Sequence, residues 1–227
     1  MTKIKICGLR KVGDVRAAVE AGADFLGIVF EPNSRRCIDV EGAKYLVESV
    51  KKQEMNSNPL WVGVFANQSI NEVNQILDYC DIDLAQLSGR ESPEYCSKAL
   101  KPVIKVLHVG EESSGIGTSL SLRKNLELYQ SYGCYCMLDT FKEGILGGTG
   151  QVFNWDIAKE LAKDYPLFIA GGLTPDNVEQ AMIQINPWGL DVSSGVEMQG
   201  HKDPYKIVQF ITTIRSTDQK LENTNIS

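Results

Sequence analysis

Short runs rich in β-branched residues alternate along the chain with stretches whose apolar residues recur every three to four positions. The first kind predicts strands over Lys3–Cys7, Asp24–Phe30, Leu60–Phe65, Leu84–Leu87, Val103–Val109, Tyr135–Asp139, Leu167–Ala170 and Gly189–Val192. The second predicts helices over Val12–Ala21, Val40–Lys52, Ile70–Cys80, Pro93–Leu100, Ser119–Ser131, Asp156–Lys163, Pro175–Ile185 and Pro204–Ile214. Start signals support several of these. Ser69 stands as N-cap before Ile70, Asn154 precedes Trp155, and Thr174-Pro175-Asp176 puts proline in a first turn.

Eight strands and eight helices in strict alternation imply a parallel sheet covered by helices. The repeat of about 28 residues is close to one βαβ step. Eight such steps close into a single (β/α)8 TIM barrel, an α/β fold with a parallel, closed, eight-stranded sheet. An open doubly wound sheet is the competing architecture. It expects a glycine-rich fingerprint after the first strand, and Cys7-Gly8-Leu9-Arg10 is not one. No composition shift divides the chain, so the barrel is expected over residues 1–215, with 216–227 a frayed or disordered polar tail. Glu111–Gly117 reads as an enlarged loop after the fifth strand.

Composition adjusts this picture little. The 227 residues are 43% hydrophobic and 23% charged, the balance of a soluble globular protein. No apolar run approaches the roughly 18 residues of a membrane span, so no membrane partner is expected. A net charge of −6, from 23 basic and 29 acidic residues, argues against nucleic acid as partner. It leaves room for a small anion held locally by backbone amides. The first residues show no signal-peptide pattern, which places the chain in a reducing cytoplasm. The six cysteines and two histidines fit no structural zinc spacing, so no metal is expected and most of the thiols read as buried packing groups.

A barrel of this kind carries its chemistry at the C-terminal ends of its strands. Period-2 alternation puts Lys3, Lys5 and Cys7 on one face of the first strand, with Ile4 and Ile6 toward the helices. The same alternation turns Tyr135, Met137 and Asp139 inward on the sixth. A thiol and a carboxylate at one mouth can serve as base and acid. They can also be a buried cysteine and a turn-capping aspartate. Glycines and serines follow the later strands: Gly147-Gly148-Thr149-Gly150, Gly171-Gly172 and Ser193-Ser194-Gly195. The loops after strands seven and eight commonly build a phosphate site, so Gly148, Gly171, Gly172, Ser193, Ser194 and Gly195 are phosphate-binding candidates; tight turns alone would explain them too. Arg36 is either a solvated loop residue or a fork for a carboxylate. Asp191 should point inward near the phosphate loop, and Gln86 offers a neutral hydrogen-bonding group at the end of strand four.

In chain order, Lys5-Ile6-Cys7-Gly8-Leu9, Phe30-x-x-x-Ser34-x-Arg36, Val62-Gly63-Val64-Phe65, Gln86-Leu87-x-Gly89, Asp139, Gly147-Gly148-Thr149-Gly150-x-x-Phe153-x-Trp155, Ala170-Gly171-Gly172-Leu173 and Asp191-Val192-Ser193-Ser194-Gly195-Val196-Glu197 resemble the phosphoribosylanthranilate isomerases of tryptophan biosynthesis. The resemblance spans nearly the whole chain. It implies a cofactor-free Amadori rearrangement of N-(5-phosphoribosyl)anthranilate to its carboxyphenylamino-deoxyribulose phosphate. Asp139 would be the general acid, Cys7 the general base and Arg36 the holder of the anthranilate carboxylate. The glycine and serine loops would grip the phosphate, and Asp191 would face the substrate. The small-molecule substrate is then the partner, and the protein is a monomer or homodimer. Two departures stand out: Ser88 replaces the histidine of the common Gln-Leu-His-Gly, and Arg35 replaces the proline of Ser-Pro-Arg. His108 and His201 match no family site and read as structural or exposed. The ProFAR isomerases of histidine biosynthesis are the competing relatives, and they carry an aspartate where Cys7 stands.

Overall fold

A computed structural model of the chain describes residues 1–52, 58–109, 116–140 and 155–224. Its strands β1 (Lys3–Cys7), β2 (Phe25–Val29), β3 (Leu60–Phe65), β4 (Leu84–Leu87), β5 (Val103–Val109), β6 (Tyr135–Thr140), β7 (Leu167–Ala170) and β8 (Gly189–Val192) are each followed by helix. The helices are α1 (Val12–Ala21), α2 (Val40–Lys51), α3 (Ile70–Tyr79), α4 (Pro93–Cys96), α5 (Ile116–Ser131), α6 (Trp155–Ala162), α7 (Val178–Ile185) and α8 (Pro204–Thr224). Every neighbouring strand pair is parallel, and β8 returns to β1 through the Ile4–Leu190 and Lys5–Asp191 partners. The sheet is therefore a closed barrel in the order β1 to β8. Among the described residues no helix is long and apolar enough to cross a membrane.

The period-2 pattern divides the apolar residues into two layers. Ile4, Ile6, Leu26, Ile28, Cys136, Leu138, Ile169 and Leu190 face the helices and join one large core with α1 through α8. The alternate residues fill the barrel: Phe25, Val62, Leu84, Ile104, Val106, Met137, Phe168 and Ala170. At the N-terminal end the filling is aromatic, with Phe168 edge-on to Phe25 at 5.4 Å and to Trp188 at 4.9 Å between ring centroids. Gly189 makes room for that ring, since a Cβ there would come within 2.6 Å of Phe168. The C-terminal end is different. Among the described residues, Cys7, Val29 and Val64 form a small apolar cluster there, and polar side chains complete the mouth.

Where expected boundaries move, local chemistry accounts for the shift. α4 ends at Cys96 because Lys98 and Ala99 donate to carbonyls three residues back, tightening the chain ahead of Pro102. Pro175 stands outside α7: the Asn177 side chain braces the Thr174 N–H at 2.8 Å and the Gly172 carbonyl at 2.9 Å, and the helix begins at Val178. α5 already includes Ile116 and Gly117, at the end of the loop expected over 111–117. The expected division at residue 215 falls inside α8, which continues to Thr224. The Asp218 carboxylate accepts from Thr2 N at 3.0 Å and Thr2 Oγ1 at 2.7 Å, and Arg215 donates to the Thr2 carbonyl at 2.7 Å. These contacts dock the polar end of the chain on the start of β1. The Gly147–Gly150 cluster and the Asn154 cap lie outside the described residues, as do 225–227.

Candidate active site

Cys7 and Asp139 both stand on inward-facing positions at the C-terminal ends of their strands. The neighbours of Cys7 around the mouth are Val29 and Val64; Asp139 is half-buried, with His108 on β5 and Ala170 on β7 as its strand partners. Two strands, β7 and β8, separate β6 from β1 on the shorter way around the barrel. The thiol and the carboxylate thus face one opening from different walls.

Beneath Cys7, on the same face of β1, Lys5 is fully buried in the barrel interior. Its ammonium donates to Asp191 Oδ1 at 2.7 Å, which is what two partnered strands, β1 and β8, permit when both residues point inward. Burial alone would lower the Lys5 pKa, but the Asp191 charge and hydrogen bond, with the Cys7 sulfur nearby, outweigh it and the ammonium is held above its usual range. Burial pushes the Cys7 thiol up; the Lys5 charge pulls it down and Asp191 pushes it up again, and burial prevails. Lys202 adds a weaker downward pull. The surroundings of the thiol therefore favour its neutral form. Asp191, expected to face the substrate, has one oxygen committed to Lys5.

Arg36 stands at the rim with its fork already occupied. Nε and Nη2 donate to Glu197 Oε1 and Oε2 at 2.6 and 3.1 Å, a bidentate pair. Arg35 reaches the same carboxylate at 2.6 Å, and Lys202 Nζ at 3.1 Å. The sequence places Glu197 beside Lys202 through a short hairpin, β9 (Glu197–Met198) and β10 (His201–Lys202), with Gln199 and Gly200 both at positive φ as a tight two-residue turn demands. Burial would raise the Glu197 carboxyl, but Arg36 and Lys202 together hold it below its usual value. Three cations around one carboxylate leave a local positive excess at the rim. The Arg36 stem lies over Gly8, where a Cβ would come within 2.5 Å of Arg36 Cδ.

The loops after β7 and β8 meet directly. A Cβ on Gly195 would collide with the Leu173 carbonyl, so glycine lets these two turns abut. Gly171 and Gly172 have φ of 91° and 68°, which other residues adopt at a cost. Ser194–Val196 forms one 3₁₀ turn, and among the described residues the N–H groups of Gly172, Ser194 and Gly195 donate to no protein acceptor. The Ser193 hydroxyl donates to the Cys7 carbonyl at 3.1 Å, and its own carbonyl accepts from Lys202 at 2.7 Å. Ser193 is thereby tied to the thiol-bearing strand. Gly148 lies outside the described residues.

Gln86 is buried on the inner face of β4, its Nε2 donating to Ser88 Oγ at 3.3 Å. Its Oε1 is buried without a hydrogen-bond partner among the described residues. An orphan acceptor of this kind is costly unless a ligand supplies the donor. His108 Nε2 lies 2.8 Å from the Ser88 carbonyl; a carbonyl only accepts, so Nε2 carries the proton. The site residues that sequence reasoning did not single out are Lys5, Glu197 and Lys202. The signal for Lys5 was its position two residues before Cys7, a charge on a strand face bound for the barrel interior.

The N-(5'-phosphoribosyl)anthranilate (PRA) isomerase family model matches residues 4–213 of the chain. The N-(5'-phosphoribosyl)anthranilate isomerase of Dehalococcoides mccartyi is 43% identical over 218 residues, which are 96% of this chain and 98% of the relative. The crystal structure of phosphoribosyl anthranilate isomerase from Thermotoga maritima superposes with a TM-score of 0.81 at 32% identity, covering 95% of this chain and 100% of that one. A phosphoribosyl anthranilate isomerase in complex with reduced 1-(o-carboxyphenylamino)-1-deoxyribulose 5-phosphate superposes with a TM-score of 0.78 at 30% identity, with the same two coverages.

Proposed function

The chain belongs to the N-(5'-phosphoribosyl)anthranilate isomerase family of tryptophan biosynthesis, and from that premise we propose the reaction and the residues that carry it. The reaction is an Amadori rearrangement by general acid and base. Asp139 donates a proton to the ribose ring oxygen, the bond from that oxygen to carbon 1 breaks, and the anthranilate nitrogen becomes a Schiff base. The Cys7 thiolate then takes the proton from carbon 2, and the electron pair left behind neutralises the iminium as an enolamine. Tautomerisation to the ketone completes the rearrangement.

The observation that carries this reading is the placement of Cys7 and Asp139 on inward positions of β1 and β6 at one mouth. The remaining groups fit the two ends of the substrate. The amides of Gly172, Ser194 and Gly195, which donate to no acceptor among the described residues, suit a phosphate, with Gly171 and Ser193 shaping the turns. Gly148 is assigned to the same grip on its family motif. Arg36 suits the anthranilate carboxylate: Glu197 holds Nε and Nη2, and Nη1 presents the third side of the fork. The orphan Gln86 Oε1 accepts from a substrate N–H or O–H. Asp191 acts from beneath, through the group it holds.

The test is turnover of phosphoribosylanthranilate generated in situ, followed by loss of its fluorescence. Turnover that Cys7→Ser and Asp139→Asn each abolish supports the assignment. Turnover of the histidine-pathway aminoimidazole ribotide instead would replace it with the ProFAR isomerase reading.

A further inference from the structure

We infer that Lys5 is a positioning residue for the base: its buried ammonium, anchored by Asp191, sets how readily the Cys7 thiol gives up and takes back a proton. The inference rests on the reading of Cys7 as the base and adds a residue to it.

The geometry has three parts. Lys5 is fully buried inside the barrel, where an unpaired ammonium would be strongly disfavoured. Its partner Asp191 lies 2.7 Å away and makes the pair neutral as a unit. Such a pair could sit anywhere in the barrel if its role were packing. Here it sits directly beneath the thiol. Cys7 Sγ and Lys5 Nζ lie 2.9 and 3.1 Å from the point that a Cβ of Gly27 would occupy, so both atoms crowd into the space left by one absent side chain. Sulfur and ammonium, both borne on β1, thus share the gap over Gly27 of β2.

Charge then decides the behaviour. A thiol taking part in proton abstraction alternates between neutral and anionic states, and the nearest fixed charges govern the balance. Among the described residues, the charged groups facing Cys7 are Lys5 on its own strand, Asp191 on β8 and Lys202 on β10. Lys5 and Lys202 favour the thiolate, and Asp191 opposes it. Asp191 therefore has two opposite effects: it keeps Lys5 charged inside the barrel and it restrains how far the thiol is acidified. The pair also brings a consequence for the catalytic cycle. When the thiolate accepts the carbon 2 proton it becomes neutral, and the Lys5–Asp191 pair remains neutral beside it, so no uncompensated charge is left in the interior.

The test is a titration of Cys7 read by thiolate absorbance as the difference between each protein and the same protein carrying Cys7→Ser. It needs no turnover. Lys5→Met should move the titration to higher pH and cut the thiolate fraction near neutrality about tenfold or more. The double variant K5M/D191N, which leaves no lone buried charge, should titrate above wild type and covers the case in which Lys5→Met alone fails to fold. The pH dependence of kcat/KM should follow the same order. Titrations of the Lys5→Met and double variants that coincide with wild type, or that move to lower pH, would overturn the inference. Titrations that move as expected while the rate profile stays fixed would leave Lys5 in place and overturn Cys7 as the base.

Discussion

Replacing Gly27 by alanine inserts one methyl group into the gap that the thiol and the ammonium share. The new carbon would lie 2.9 Å from Cys7 Sγ, 3.0 Å from the Cys7 Cα and 3.1 Å from Lys5 Nζ. Ordinary contacts to carbon are about 3.5–4.0 Å, so each neighbour must retreat by about half an ångström or more. The sulfur can rotate, but the Cys7 backbone is held in the β1–β2 ladder and cannot withdraw independently. Overpacking of this kind costs about 1–3 kcal/mol, against a gain of about 0.4–1 kcal/mol from the stiffer unfolded chain. For a domain of this size, a net loss of up to about 2.6 kcal/mol lowers Tm by up to about 10 °C. Misplacing a reacting group by about 1 Å can cost about a hundredfold in rate, so a half-ångström shift should lower kcat/KM about tenfold. The assay is initial-rate loss of phosphoribosylanthranilate fluorescence, with thermal melting in parallel. Gly13→Ala is the control, since its Cβ would meet nothing within 4 Å on α1. A Gly27→Ala protein with wild-type kcat/KM and Tm would refute the tight thiol–ammonium packing.

Further outcomes follow from the ion pairs and from the Asp218 hydrogen bonds. The Glu197 and Asp24 carboxyls are held below their ordinary values of 4.5 and 3.8: burial opposes this, and partner cations and hydrogen bonds prevail. Stability from depressed carboxyls is present above the ordinary range and lost as pH falls through the folded values. Tm should therefore drop below about pH 4.5, and Glu197→Gln should melt lower at pH 7 yet lose less between pH 5 and 3. Lys105→Met leaves the buried Glu91 carboxylate without its 2.7 Å partner and should cost about 3–5 kcal/mol in urea unfolding, with K105M/E91Q recovering part of the loss. Asp218→Ala removes both contacts to Thr2 and should cost about 1–3 kcal/mol with kcat unchanged, because the lost bonds lie at the N-terminal end of β1.

The barrel and the inward placement of Cys7 and Asp139 are legible in the sequence for one physical reason. Strand side chains alternate with period 2, so Ile4 and Ile6 declare the outer face of β1 and leave Cys7 inside; Cys136 and Leu138 do the same for Asp139. The partners of those residues are not legible in this way. Lys5 meets Asp191 across 186 positions, and Arg36 meets Glu197 across 161. Such pairings depend on strand register and barrel closure, which no local pattern encodes. Lys202 joins Glu197 through a hairpin of two-residue strands, too short for alternation to register. The polar run after residue 215 reads as a tail because its helix is held by Thr2, at the opposite end of the chain. The glycines are a mixed case. Gly171 and Gly172 adopt the positive φ that either a turn or a phosphate grip would require, while Gly195 is needed for contact with Leu173.

The division of labour between Cys7 and Asp139 is tested most directly by single-turnover assays of Cys7→Ser and Asp139→Asn with phosphoribosylanthranilate. Loss of the proposed general base or of the proposed general acid should each lower the chemical rate by about 10²–10⁴ while the variants retain the wild-type fold. Near wild-type turnover by either variant would contradict the account.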